Sequence, residues 1–361
     1  MIPKERSVTT PASETPVLRT PGLVDAHIHP DKTSWGDAWL SRRPAATLTD
    51  LIENDRATQH TFAMTVEDRA YALLRNAVEN GTMAMRAQVD VSSELGIRNV
   101  EDVRAAAERL APWLTVEIVA FPQFGLLRNP GTLEVMAASL DAGADLVGGI
   151  DPGGIEGDLH GHLDAVFGLA DRAGRYVDIH LHDGGEDGLA QIREIARRTV
   201  AGGRQGRVTI GHAFALCDAS LPSLGETLDR VAEAGIWIAT CALGPDPVPD
   251  IDLLERHGVR LALGSDGVRD SWSPFGTGSM VDRAHLLAYR TGAITDGELE
   301  RAFRLASSAG GEMLGLAELS DWAGPESGTR LEFAAESIAQ LVVDRPAPIR
   351  VLRDGAQLTL P

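Results

Sequence analysis

The sequence predicts an α/β fold, a (β/α)8 barrel carrying a small vestigial terminal β-sheet. Two observations carry this expectation. Short apolar runs alternate with longer stretches of helical period, as βα units do, and the alternation occurs eight times. No glycine fingerprint opens the first helix, which argues for a closed barrel over a doubly wound dinucleotide-binding sheet. A length of 361 residues would divide into two domains at roughly 150 residues each, but barrels run to about 250 residues as one unit. The expected division is a tail with at most short strands at 1–20, a barrel at 21–316 and a C-terminal β segment at 317–361.

The strand candidates, in order, are 23–29, 82–91, 114–122, 146–151, 176–182, 207–213, 237–243 and 260–265. Between the first two, Ala70, Leu73, Leu74, Ala77 and Val78 recur at helical spacing. Thr65 and Asp68 form a capping box before them, and Gly81 is the stop. The glycine-rich stretch 148–161 follows a strand as a barrel loop would. Neither GxxxxGK nor GxSxG occurs, so phosphate-loop and serine-hydrolase readings fall away. Beyond the eighth strand, 279–316 reads as helical, and alternation in 338–343 and 349–352 predicts strands of the terminal sheet.

Lys and Arg total 33 against 52 Asp and Glu, a formal charge of −19, which argues against nucleic acid as a partner. With 43% hydrophobic residues the chain can bury a sizeable core. No apolar run reaches the ~18 residues of a membrane span, and the first twenty residues are polar and proline-bearing, so a cytoplasmic protein is expected. Cys217 and Cys241 lack the paired spacing of a zinc knuckle and read as buried small hydrophobes.

His27 and His29 stand two apart near the end of the first strand. Alternate strand residues share a face, so both imidazoles would point into the barrel mouth roughly 7 Å apart at Cα, close enough for one metal. Two unrelated polar residues would give the same motif, but His180, His212 and Asp266 end the fifth, sixth and eighth strands. All lie at the rim where barrel active sites form. The second HxH, His160 and His162, falls at a helix start, where residues two apart do not face each other, and reads as a solvated helix entrance. His60, His257 and His285 sit in helices or loops without a partner.

These residues and their order resemble the amidohydrolase superfamily, more narrowly its cytosine deaminase-like branch. The motifs are PGLVDAHIHPDKT at 21–33, RAQVDV at 86–91, AFPQ at 120–123, VDIHLHD at 177–183, GHAFAL at 211–216 and GSDGVRDSWSPFG at 264–276. Binuclear members bridge two metals with a carboxylated lysine from the fourth strand. The only lysines here are Lys4 and Lys32, so the resemblance implies one divalent metal, zinc or else iron, held by His27, His29, His180 and Asp266. It also implies that Asp266 takes a proton from the attacking water and that His212 polarises that water or the forming tetrahedral oxygen.

The sequence departs from cytosine deaminase in two places. His182 and Asp183 stand where that enzyme has a glutamate after the strand-five ligand, and Gly267 replaces a second aspartate. The HLHD form with Lys32 and Asp151 is more similar to the N-isopropylammelide amidohydrolases, which release an alkylamine from a triazine ring. His182, oriented by Asp151, is the expected proton shuttle, with Lys32 an auxiliary cation and Asp183 beside them. Gln123 matches a heterocycle-binding position and Trp272 a tryptophan beside the ring. The bland alternatives are a strand-end cap for Gln123, packing for Trp272, a surface charge for Lys32 and a helix cap for Asp183. Arg86 and Asp90 read as structural pairs, and Gln88 stands where the branch often has histidine. Lys32 and Arg269 would make the mouth locally cationic.

The function expected is hydrolysis of a C–N bond of a small nitrogen heterocycle by deamination or amine release. Ring opening of a cyclic amide or lactam, and an inactive ligand-binding paralogue, are the alternatives. Barrels of this branch often assemble, so a homo-oligomer is compatible with the sequence.

Overall fold

The computed structural model describes residues 16–360, so Lys4 and most of the expected N-terminal tail lie outside the described residues. Strand β1 (Val17–Thr20) precedes eight barrel strands: β2 (Leu23–Ile28), β3 (Thr82–Asp90), β4 (Thr115–Phe121), β5 (Leu146–Ile150), β6 (Tyr176–Leu181), β7 (Val208–His212), β8 (Trp237–Thr240) and β9 (Arg260–Leu263). All neighbours among the eight are parallel and follow chain order, as a (β/α)8 TIM barrel requires. The last three are β10 (Arg330–Ala334), β11 (Arg350–Arg353) and β12 (Ala356–Gln357). They pair antiparallel in the order β1-β10-β11-β12, the small terminal sheet.

The barrel closes immediately after β9. Asp266 N–H donates to His27 O at 2.7 Å, His29 N–H to Asp266 O at 3.4 Å, and Ile28 bridges Asp266 in parallel register. Closure requires the two backbones to approach closely. A Cβ on Gly264 would stand 2.6 to 2.7 Å from the His27 backbone N and O, so only glycine fits.

Apolar side chains of the barrel strands and the surrounding helices form a large core that includes Val24, Ala26, Ile28, Leu73, Leu74 and Ile179, with a small second cluster of Ile52, Phe121, Phe124 and Ile150. Inside the barrel the lower layer is polar. Arg86 donates to Glu117 at 2.8 and 3.0 Å, to Asp178 at 3.2 Å and to Thr209 at 2.8 Å, which makes it the structural pair expected of it.

The helix Val66–Glu79 starts at Thr65, whose side chain accepts from Asp68 N–H. That is half of the expected capping box, since the Asp68 carboxylate accepts from the Thr65 hydroxyl at 2.9 Å and not from its backbone. The expectation of a strand at 338–343 is overturned. Ile338–Asp344 is a helix, N-capped by Ser337, which accepts from Gln340 N–H. Six residues with apolar side chains at both spacings cannot separate the two periods, and the cap decides. His162 is not solvated as expected: it is fully buried on the helix Leu159–Ala173, 3.3 Å from Glu156, while His160 stays exposed. His257 and His285 also have partners, Asp229 at 2.7 Å and Val342 O at 3.0 Å. Cys241 is buried and Cys217 half-buried, both as free thiols. No described helix is long and apolar enough to cross a membrane.

Candidate active site

Parallel register assembles the site. β5, β6 and β7 align Ile150, His180 and Gly211, so His180 sits level with the ends of its neighbours. Gly211 leaves room for the imidazole across the barrel, since a Cβ there would lie 3.0 Å from His27 Cε1. β2 ends at Ile28, so His29 stands just past the strand where the sequence placed it within. Asp151, His212 and Asp266 take left-handed backbone (φ 29°, 65° and 57°) directly at strand ends. Such conformations cost about 1–3 kcal/mol each in non-glycine residues and cluster at functional sites.

These turns bring five expected residues together. His27 and His29 have ring centroids 5.4 Å apart, His27 and His180 4.5 Å, and His180 and His212 5.2 Å. His29 Nε2 lies 3.2 Å from Asp266 Oδ1 and 3.3 Å from His180 Nε2. The ligand atoms of His27, His29 and Asp266, and those of His27, His180 and His212, each lie within 4.8 Å of one another. His27 Nε2 is buried with no hydrogen-bond partner. Buried ring nitrogens that converge on one another and on a carboxylate, with His27 Nε2 left unpartnered among them, fit a metal ion, and borderline-soft imidazoles with one carboxylate fit zinc or iron.

The electrostatics agree with that fit. Burial, reinforced by neighbouring imidazoles, holds His27 and His180 well below the usual histidine range, and burial with the adjacent His182 pushes His212 down to about 3. Burial works against charge on Asp266, but the hydrogen bond from His29 and the surrounding histidines hold its carboxyl well below the usual range. The set is therefore neutral imidazoles and an ionised carboxylate, the forms that ligate.

His182 differs from the rest. Its ring stacks on His212 at 4.4 Å, and its Nδ1 lies 2.6 Å from Asp151 Oδ2, while Asp151 Oδ1 accepts from His182 N–H at 2.6 Å. Burial disfavours the imidazolium, yet Asp151 outweighs it and raises the His182 pKa above its ordinary value. Asp183 does not cap the following helix Gly185–Ala201, which has no side-chain cap. Its Oδ2 accepts from Gly154 N–H at 2.7 Å and Gln191 Nε2 at 2.8 Å.

Lys32 is no surface charge. Arg69 donates to Thr33 O at 2.7 Å and Asp31 O at 3.0 Å, which folds the segment after β2 inward and buries Lys32. Its Nζ donates to Gln123 Oε1, lies 3.2 Å from Asp90 and 3.8 Å from Asp55, and stands 5.6 Å from the Trp272 ring centroid. Burial opposes its charge, but Asp90, Asp55, Asp31 and Asp270 raise its pKa further. The carboxylates around it also correct the expected cationic mouth, and Arg269 is exposed over Trp35 at 4.4 Å. Asp90, expected to serve barrel structure alone, is the closest carboxylate to Lys32. Sequence reasoning missed Asp55, from the helix Leu48–Thr58, which belongs to no motif, and Asp270, which lies within the motif at 264–276 but was given no role there.

A rim of strand-end histidines and an aspartate on a (β/α)8 barrel defines a metal-dependent hydrolase. The chain belongs to the amidohydrolase family, which it matches over residues 18–319. It is 36% identical over 308 residues to N-isopropylammelide isopropyl amidohydrolase of Pseudomonas sp. (strain ADP), covering 83% of this chain and 75% of that protein. The crystal structure of N-isopropylammelide isopropylaminohydrolase from Burkholderia multivorans superposes with a TM-score of 0.89 at 37% identity over 94% of this chain and 86% of that one. The 5-methylcytosine deaminase of Klebsiella pneumoniae shares the fold, with a TM-score of 0.81 at 22% identity over 95% and 87% of the two chains.

Proposed function

We propose that this chain hydrolyses the bond between a ring carbon of a nitrogen heterocycle and an exocyclic amino or alkylamino group, with ammonia or an amine as product. The observation that carries the reading is the convergence of His27, His29, His180, His212 and Asp266 beside the Asp151–His182 pair. Similarity to two N-isopropylammelide hydrolases supports an alkylamino leaving group.

His27, His29, His180 and Asp266 would hold one ion, zinc by donor type, with iron accommodated by the same set. Such an ion, when bound, supplies hydroxide at neutral pH by lowering the pKa of water from 15.7 toward about 7. Asp266 accepts the proton of the attacking water. His212, neutral and stacked on His182, hydrogen-bonds the oxygen that develops on the ring carbon. His182 is gripped through Nδ1 by Asp151, which leaves Nε2 to deliver a proton to the departing nitrogen. Asp183 holds the loop after β5 in place through Gly154. Gln123 and Lys32 bind the heterocycle's polar edge, and Trp272 supplies a flat wall.

The test is amine and ammonia release by zinc- and iron-loaded protein from cytosine, isocytosine, creatinine and N-alkylated aminotriazines. Release from at least one is expected. Full metal loading without release from any of them contradicts the reading.

A further inference from the structure

Gly267 directly follows Asp266, and the room a side chain there would take is already filled. A Cβ on Gly267 would stand 1.9 Å from Asp270 Oδ2. Asp270 is 3% exposed. Its Oδ1 accepts from the backbone N–H of Trp272 at 2.9 Å and of Ser273 at 2.8 Å, which fixes the carboxylate's orientation. Among the described residues nothing donates to Oδ2. Oδ2 is therefore the oxygen of this otherwise buried carboxylate that is free to accept from a ligand N–H.

Two donors nearby lack acceptors. Gln123 Nε2 and Trp272 Nε1 are both buried without a hydrogen-bond partner. The Gln123 amide is oriented by Lys32, which donates to its Oε1 and so turns Nε2 away. Lys32 Nζ links the groups: it donates to that amide, stands 5.6 Å from the Trp272 ring centroid and feels the charge of Asp270, whose carboxylate accepts from Trp272 N–H. One acceptor and two donors grouped around Lys32 complement an amidine edge, in which an amino group donates and the neighbouring ring nitrogen accepts.

We propose that Asp270 is a specificity-determining residue of the substrate pocket. Its Oδ2, occupying the room left by Gly267, accepts a hydrogen bond from an amino group or ring N–H of a heterocycle with an amidine edge besides the bond that is cleaved. The inference rests on the heterocycle reading above.

The test compares 2,4-diaminopyrimidine with cytosine, which present an amino donor and an oxo acceptor at ring position 2. Dissociation constants by calorimetry and amine release are measured in parallel on metal-loaded full-length protein. The pH is 8, where the Asp270 carboxyl, pushed up by burial to about 7, is ionised. Wild type is expected to prefer the diamino ligand by about tenfold or more, the worth of one hydrogen bond to a charged group. Asp270→Asn keeps an oxygen for the two backbone N–H groups and replaces Oδ2 by a donor, so the preference should vanish or reverse. Gly267→Ala, which must displace the carboxylate, should erode the preference by an independent route and serves if the first variant does not fold. An unchanged preference in a folded variant, or equal weakening of both ligands, overturns the proposal. Discrimination without amine release refutes the reaction while leaving the recognition intact, and amine release without discrimination does the reverse.

Discussion

His182 and Lys32 show how a single side chain acquires its role from its neighbours. Asp151 engages both the backbone and the Nδ1 of His182, so Asp151→Asn should weaken the proton-transfer step without touching the donor cluster. A loss of about 10- to 100-fold in kcat is expected, as for other groups that orient an imidazole, with metal content unchanged by atomic absorption. Loss of metal in parallel with activity would instead make Asp151 part of the ion's binding. Lys32 is the one described lysine, and removing it leaves Asp90 and Asp55 buried against each other. Lys32→Met should lower unfolding free energy by about 3–5 kcal/mol in urea titration, the cost of stranding buried charge. A shift within error would mean that water or protons neutralise the cage.

Among the elements, the closure between β2 and the turn after β9 unites the two halves of the donor set, and glycine makes it possible. Gly264→Ala places a methyl within 2.7 Å of the His27 backbone. Overpacking of this kind costs about 1–3 kcal/mol, and here it should also lower metal affinity, because His27, His29 and Asp266 meet across that contact. Thermal melting and metal titration of the same variant check both effects. Much of this was legible in the sequence. Eight apolar runs punctuated by helical periods specify the strands, and the strand-end positions of His27, His180, His212 and Asp266 specify the rim. What was not legible depends on three-dimensional context. The helix Ile338–Asp344 is too short for its period to be read, His162 is buried by a loop whose Glu156 arrives from outside its own helix, and the Asp270 carboxylate fills the room that a side chain at Gly267 would take.

At the scale of the molecule, the donor groups found among the described residues overlap through His27, His29, His212 and Asp266, and Lys32 follows β2 instead of standing on the fourth barrel strand, β5. Chelator-treated protein should therefore be inactive, and one equivalent of zinc per chain should restore activity. An ion that binds only the folded donor set adds RT ln(1 + [L]/Kd) to stability, so melting temperature should rise with free zinc. Activity that needs two equivalents would contradict the single-ion account. The central claim is that hydroxide replaces an exocyclic nitrogen while the ring stays closed. Mass spectrometry of the product formed in 18O-labelled water by the zinc enzyme tests it most directly. The account predicts a ring product that has lost its amine and gained one labelled oxygen. A product heavier by one whole water, with every nitrogen retained, would mean ring opening and would contradict it.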